Sequence, residues 1–367
     1  MAIIVNGNGP WTKNDGDRPG LYARFVAAAI AAIKVGSRSK VGTIKALTGK
    51  GTAEAGKVYR VTRLREAEAL FGEGNAEDVK YLIIGGASEV VISAYAVGTA
   101  ETPTDYTAAL AALETYEYHV FVGPAETDEF YLASDISAWI AEQKTITKNF
   151  VSVLADDEVE GNVTAVKANM TQFAEDETVV YIANGGIDAE GTVLKPQLYA
   201  FYIAGLIAGA GLAESITYKT VPFVEPSYRY NNLEVKDILA AGGLVTTIDG
   251  DDVRVEQGLT LGVKPFNKIR TVRAKQAMID DIDRAVKKSY IGKITNHPDG
   301  QIAVINGVKV YLQTLANSSV ISDVFTVELD PDYESVGDEL YVRVSVRFLD
   351  SIEYIYLTVN VRQSDVQ

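Results

Sequence analysis

The 367-residue chain contains no cysteine and only two histidines, His119 and His297. Without thiols there is no disulfide framework, thiolate nucleophile, iron–sulfur cluster or sulfur-ligated zinc. Two imidazoles leave little room for a multi-histidine metal site or for imidazole catalysis. Positive charge is scarce as well. Lys and Arg number 34 against 49 Asp and Glu, a formal net charge of −15. A summed field of that sign repels phosphate and argues against nucleic acid or an anionic membrane as partner. Long apolar runs are missing. The longest, residues 197–213, is interrupted by Gly205, Gly209 and Gly211 and is short for a membrane span. A helix buried in protein is the expectation there. The opening Met1-Ala2-Ile3-Ile4-Val5-Asn6-Gly7 lacks the basic start and longer apolar core of a secretory signal, so a soluble chain made in the cytoplasm is expected.

Phosphate-binding and hydrolytic motifs are missing too. Gly49-Lys50 is followed by Gly51, and Gly292-Lys293 by Ile294, so neither offers the hydroxyl that a P-loop needs for its metal. Gly205, Gly209 and Gly211 fall at helix-packing spacing and miss the dinucleotide fingerprint. There is no Gly-x-Ser-x-Gly elbow and no His-Glu-x-x-His. His119 opens an apolar strand, and His297 precedes Pro298, where a helix-start role is the simpler reading. Asp249-Gly250-Asp251-Asp252 and Asp280-Asp281 with Asp283 do not match the ligand spacing of a calcium loop. Asp156-Asp157-Glu158 and Glu160 follow a strand, where α/β folds place ligands, and Gly185-Gly186 follows another. A small-ligand or enzyme site near Asp156 and Gly185 is therefore one reading; solvated acidic loops are the other.

What the chain has is an ordinary apolar fraction of 47% and 20 tyrosines against 11 phenylalanines, a composition suited to strands and protein interfaces. Its length suggests about two domains. Residues 1–24 show no helical period and are rich in Asn-Gly and Asp-Gly turns, which predicts an extended arm. Residues 25–86 read as a mixed segment packing on the core. From 87 to 221, short apolar strands alternate with crossover-length helices, which predicts a mostly parallel α/β layer. Its strands are expected at 89–97, 119–122, 150–154 and 179–183. Its helices are expected at 104–115, 128–143, 163–173 and 196–211. Residues 222–350 change to an α+β pattern: helix 232–241, a hairpin around Asp249-Gly250-Asp251, helices 271–288 and 301–316, then strands 324–329 and 340–348. Residues 351–367 form a C-terminal strand arm, with a strand at 352–361. The fold class is thus α/β plus α+β.

Two features stand out as possible interaction surfaces. Arg270, Arg273, Lys275, Arg284, Lys287 and Lys288 place much of the scarce positive charge on one helix, opposite Val272, Ile279, Ile282 and Val286. That is either a solvated face with Asp-to-Lys pairs or a docking surface for an acidic partner. In the tail, Tyr354, Tyr356, Thr358 and Asn360 alternate with Ile355, Leu357, Val359 and Val361. Such a strand is either paired in its own sheet or completes another chain's.

Several stretches, in this order, resemble the tail sheath proteins of contractile phage tails, R-type bacteriocins and related injection machines. They are Arg18-Pro19-Gly20-Leu21-Tyr22 with Phe25, the run from Tyr199 to Gly209, and Ser215-Ile216-Thr217-Tyr218. Leu239-Ala240-Ala241-Gly242-Gly243-Leu244-Val245-Thr246-Thr247 and Val253-Arg254-Val255 follow. Arg270-Thr271-Val272-Arg273, Asp280-Asp281-Ile282, Tyr290-Ile291-Gly292-Lys293 with Asn296, and Tyr354 to Val361 complete the set. The sequence departs from the family at Glu256-Gln257-Gly258-Leu259-Thr260-Leu261-Gly262-Val263, where an Asn-containing turn is often seen. The resemblance implies a structural, non-enzymatic subunit without cofactor or metal. Such subunits stack as six-fold rings around an inner tail tube and associate with baseplate and tail terminator proteins. They contract from a metastable extended state without nucleotide. It further implies an outer α/β domain, a tube-proximal C-terminal domain, and terminal arms that add strands to neighbouring subunits. The arm residues would be Pro19, Gly20, Leu21, Tyr22, Tyr354, Ile355, Tyr356, Leu357, Val359 and Val361. Arg270, Arg273 and Lys275 are the candidates to face the tube. Assembly would occur in a bacterial host cytoplasm, giving a phage tail or a released bacteriocin-like particle.

Overall fold

The computed structural model describes residues 3–5, 22–24, 33–97, 106–124, 132–145, 148–173 and 175–360. Of the expected arm residues, Pro19, Gly20, Leu21 and Val361 lie outside the described residues, as does most of the Ala-rich run after Phe25. In chain order the elements begin with two short strands, β1 (Ile3–Val5) and β2 (Tyr22–Arg24). Next come β3 (Lys40–Leu47), β4 (Val58–Val61), α1 (Leu64–Phe71), α2 (Glu77–Gly85) and β5 (Glu89–Ala96). The α/β series continues with α3 (Thr107–Leu113), β6 (Val120–Val122), α4 (Leu132–Thr145), β7 (Val151–Ala155), α5 (Val163–Met170) and β8 (Val179–Ile182). After β9 (Gly186–Ile187) and β10 (Val193–Leu194) come α6 (Pro196–Gly209), β11 (Thr220–Val221), β12 (Glu225–Pro226) and α7 (Asn232–Ala240). The hairpin β13 (Thr246–Asp249) and β14 (Asp252–Val255), the long helices α8 (Ile269–Ser289) and α9 (Pro298–Asn317), and the ribbon β15 (Thr326–Leu329) and β16 (Val342–Ser345) complete the order.

The chain divides into two compact units. The larger comprises Ser37–Ala277 with Leu349–Gln367, the smaller Met1–Gly36 with Met278–Phe348. These limits differ from the expected divisions at 86/87 and 221/222. At the first limit the reason is β3, which lies inside the sheet that was expected to begin only with β5; at the second, residues of 222–277 join the apolar clusters of that sheet.

The larger unit is built on a six-stranded sheet of order β4-β5-β3-β6-β7-β8, parallel throughout except for β4, which pairs antiparallel with β5 at one edge. Parallel strands are covered on both faces, so their side chains are apolar both ways. Along β8, Val180 and Ile182 face one apolar layer and Val179 and Tyr181 the other. The first layer holds α2 and α6; the second holds α3, α4, α5 and α7. Helix α6 is buried almost all round, as its uncharged, largely apolar sequence requires. Its glycines permit this: a Cβ on Gly205 would lie 2.3 Å from the Leu82 carbonyl oxygen, and one on Gly209 would lie 3.0 Å from Gly86 Cα. The α2 backbone therefore rests directly on α6.

Beyond β8 the sheet gains one more pairing, where Leu244 bridges Ile182 in parallel. Buried Asn184 then acts as a side-chain stand-in for backbone. Its amide donates to Thr246 O at 2.9 Å and accepts from Thr246 N at 3.0 Å. From there the chain enters the antiparallel sheet β11-β14-β13, whose hairpin turns at Gly250 with φ +64°, the first central position at which a type II′ turn needs glycine. The hairpin and α7 thus belong to the larger unit.

In the smaller unit the β1 and β2 strands pair in parallel, and β15 pairs antiparallel with β16. Helix α9 starts with Pro298 in its first turn after His297 at the N-cap, as Pro's fixed φ favours. It buries Val304, Val308, Tyr311, Leu312 and Leu315. Buried Asp281 of α8 accepts from the Tyr311 hydroxyl at 2.9 Å and from the Gly36 amide at 3.2 Å.

Candidate assembly surfaces

The expected strand at 352–361 is not paired: among the described residues 349–360 form no strand. Both of its alternating faces meet solvent. Tyr356 is 92% exposed, Ile355 and Leu357 83%, and Val359 68%. A β-branched and aromatic segment with no covering surface forgoes about 1.5–3 kcal/mol per large apolar side chain. Only its base is held. Lys268 Nζ lies 2.9 Å from Asp350 and 2.5 Å from Glu353, and Gln257 donates to the Tyr354 hydroxyl. Burial pushes the Lys268 ammonium down, but its bonds to Glu353 and Asp350 outweigh that and leave it raised overall.

The smaller unit offers unfinished sheets. The β15–β16 ribbon pairs Thr326 with Ser345 through Leu329 with Val342, and among the described residues neither outer edge carries a further strand. Of the four β15 side chains only Val327 is buried. The β1–β2 pair, which contains Tyr22, is likewise two-stranded. Two-stranded ribbons are marginal alone, and open edges are templates for another chain.

The basic helix departs from the expected stripe. Ile269, Arg270, Val272, Arg273, Ala274, Gln276 and Ala277 are all buried, so the first two turns of α8 are covered on nearly every side, while Ile279, expected on the apolar side, is exposed. Arg273 donates to the Ala210 carbonyl at 2.9 Å, which terminates α6. Burial pushes its guanidinium down to about 10, with neighbouring Arg38 adding to the fall and Glu214 opposing it. Arg38 in turn donates to Ala277 O at 2.9 Å. Lys275 is half-buried, pairs with Glu177 and sits 5.2 Å over the Phe266 ring. Arg270 and Arg273 are thus packed inside this subunit and are not an exposed docking face. Charge spacing alone put them on an exposed face, either solvated or docking. The missed signal was α6, which ends with no basic residue in its own last turn and so needs a cation from elsewhere at its carbonyl end.

The acidic strand ends are filled by the chain itself. Asp156 accepts from Glu158 N at 2.9 Å and from the Asn169 amide at 2.7 Å. Asp157 accepts from Gln197 N at 2.8 Å and so caps the start of α6. Burial raises its carboxyl above the ordinary value, while that amide and Lys195 oppose the rise. The Gly185 amide donates to Glu160 at 3.0 Å and to Ser227 at 2.7 Å, and a Cβ there would meet Leu194 O at 1.9 Å. No group of three His, Asp or Glu is placed to hold a metal among the described residues. Nor is any described helix long and apolar enough to cross a membrane. A groove of about 780 Å³ lies elsewhere, beside α7 and β13, with Gln257 and Tyr354 among the residues lining it.

The strand ends are sealed by internal hydrogen bonds, while among the described residues the ribbon edges are open and the apolar tail is uncovered. The chain belongs to the phage tail sheath family. Residues 99–261 match the model of the phage tail sheath protein central domain, and residues 263–362 that of the phage tail sheath C-terminal domain. It is similar to the tail sheath protein of Clostridium phage phiCD119, with 25% identity over 198 residues, 52% of this chain and 54% of that protein. The chain spans 54% to 58% of the length of the curated relatives it matches. In fold it is similar to the sheath tail protein of Desulfitobacterium hafniense, with TM-score 0.71 and 17% identity, covering 94% of this chain and 100% of that one. It is also similar to the helical sheath of the anti-feeding prophage in its contracted state, with TM-score 0.72 and 16% identity, covering 94% and 99% of the two chains.

Proposed function

We propose that this chain polymerises as stacked six-fold rings around an inner tail tube and contracts from a metastable extended state, driving the tube through a target envelope without nucleotide hydrolysis. The observation that carries this reading is the exposed strand-like tail beyond Glu353, in a chain that also has ribbons with open edges. Burying Ile355, Leu357 and Val359 in a neighbour's sheet would supply what the tail lacks alone. Residues around Tyr22 would serve as the second exchange element. Partners would be further copies of the chain, the tube protein, and baseplate and terminator proteins. Of the three basic positions proposed to face the tube, Lys275 is the one with appreciable exposure and keeps that role. The particle would be a phage tail or a released bacteriocin-like device assembled in a bacterial cytoplasm. Contraction is then a shift between two packings of woven subunits, driven by the greater contact of the shorter state.

The test is negative-stain electron microscopy of the purified protein at low and high concentration, beside a chain ending at Asp350. Hollow tubes or stacked rings from the full chain, lost on truncation, are the expected outcome. A uniformly small particle with both termini resistant to protease would overturn the reading.

A further inference from the structure

The base of the tail is held by an ion-pair cluster and a hydrogen bond, while the part able to form a strand is left uncovered. Lys268, 22% exposed, bridges Asp350 and the nearly buried carboxylate of Glu353. Gln257 holds the Tyr354 hydroxyl. Tyr354 stands between two depressions of the larger unit and lines both, with Glu353 beside it in the smaller. Ile352 and Tyr354 are already exposed, at 85% and 62%, and from Ile355 onward the side chains stay in solvent. A final docking site would bury the apolar residues and leave the charges at the rim; here the arrangement is reversed. Ion pairs with a solvent-exposed member, as Lys268–Asp350 has in Asp350, are individually weak and screened by salt. They can therefore restrain a segment and still give way when a neighbour buries its apolar face.

We propose that Lys268, Asp350, Glu353, Gln257 and Tyr354 form a parking latch. It holds the base of the tail on its own subunit before assembly and so delays strand exchange. The latch rests on the strand-exchange reading above. It keeps the tail from sampling other open strand edges at low concentration, and salt weakens it.

The test uses the full chain carrying Lys268→Glu, which turns both bridges into repulsions. In the unassembled protein, chymotryptic cleavage after Tyr354 should quicken about fivefold, and the lag before light scattering rises should shorten by a similar factor. Adding Glu353→Lys to the same chain should restore much of both. Tyr354→Phe, which keeps the ring and loses only the hydroxyl, should move both readouts in the same direction by a smaller factor. It also serves should Lys268→Glu fail to fold. Unchanged cleavage in both variants would overturn the latch. Faster cleavage with an unchanged lag would overturn its control of assembly. If the native chain and all variants stay small at every concentration, strand exchange fails and the gating role falls with it. The cleavage rates would then still report separately whether the tether exists.

Discussion

The two units of this chain use their apolar residues differently. Every residue of the two large apolar clusters belongs to the larger unit, on one face or the other of its sheet. The smaller unit buries a short row along α9, together with Val320, Ile321 and Val327, and leaves Ile291, Ile302, Val310, Val324, Tyr333 and Val336 exposed. A sheet covered on both sides can sustain itself, whereas two-stranded ribbons are marginal by themselves. The contrast separates a layered scaffold from a region that leaves many of its apolar side chains exposed.

The largest expected effect breaks the scaffold. Lys45 of β3 and Asp78 of α2 form a buried pair at 2.7 Å. Asp78→Ala strands an ammonium in the interior and should cost about 3–5 kcal/mol in denaturant unfolding. The double change Lys45→Met with Asp78→Leu should recover most of it. A loss within experimental error would mean the pair is solvated and the core less complete than described.

Arg273→Met comes next and sharpens the assignment of α8. It keeps the apolar stem but leaves the last carbonyls of α6 without their donor, at about 2 kcal/mol. The larger unit should melt lower, while whatever folds should bind tube as before. Normal stability with selective loss of tube binding would return Arg273 to a partner-facing role.

The smallest effect probes the other unit. Tyr311→Phe removes the hydroxyl that donates to Asp281 and should cost about 1 kcal/mol. Amide exchange should rise in α9 and stay unchanged in β3 and β5. Equal acceleration in both places would show that the two units unfold as one.

Much of the larger unit was legible because strands β5 to β8 are continuous Val, Ile and aromatic runs between helical spacings. The glycines of α6 announced close helix packing, and α2 supplies it. The ribbon strands β15 and β16 and both long helices fell where the pattern placed them. Strand β3 was not legible. Its sequence, Lys40-Val41-Gly42-Thr43-Ile44-Lys45-Ala46-Leu47, carries two lysines, a glycine and a threonine, yet it lies near the centre of the sheet. It tolerates them because Asp78 meets Lys45, and because Gly42 makes room for the Tyr118 ring, which a Cβ would approach to 2.8 Å. The tail reads as a strand by alternation, but among the described residues 349–360 form none.

The sequence by itself determined which segments alternate, which are helical, and that thiol chemistry is absent. These properties follow from residue type and local period. Tertiary structure decided which charges are buried. A charge enters the interior only if a compensating group arrives, and those groups come from far along the chain: 33 residues away for Lys45, and 63 for Arg273 at the end of α6.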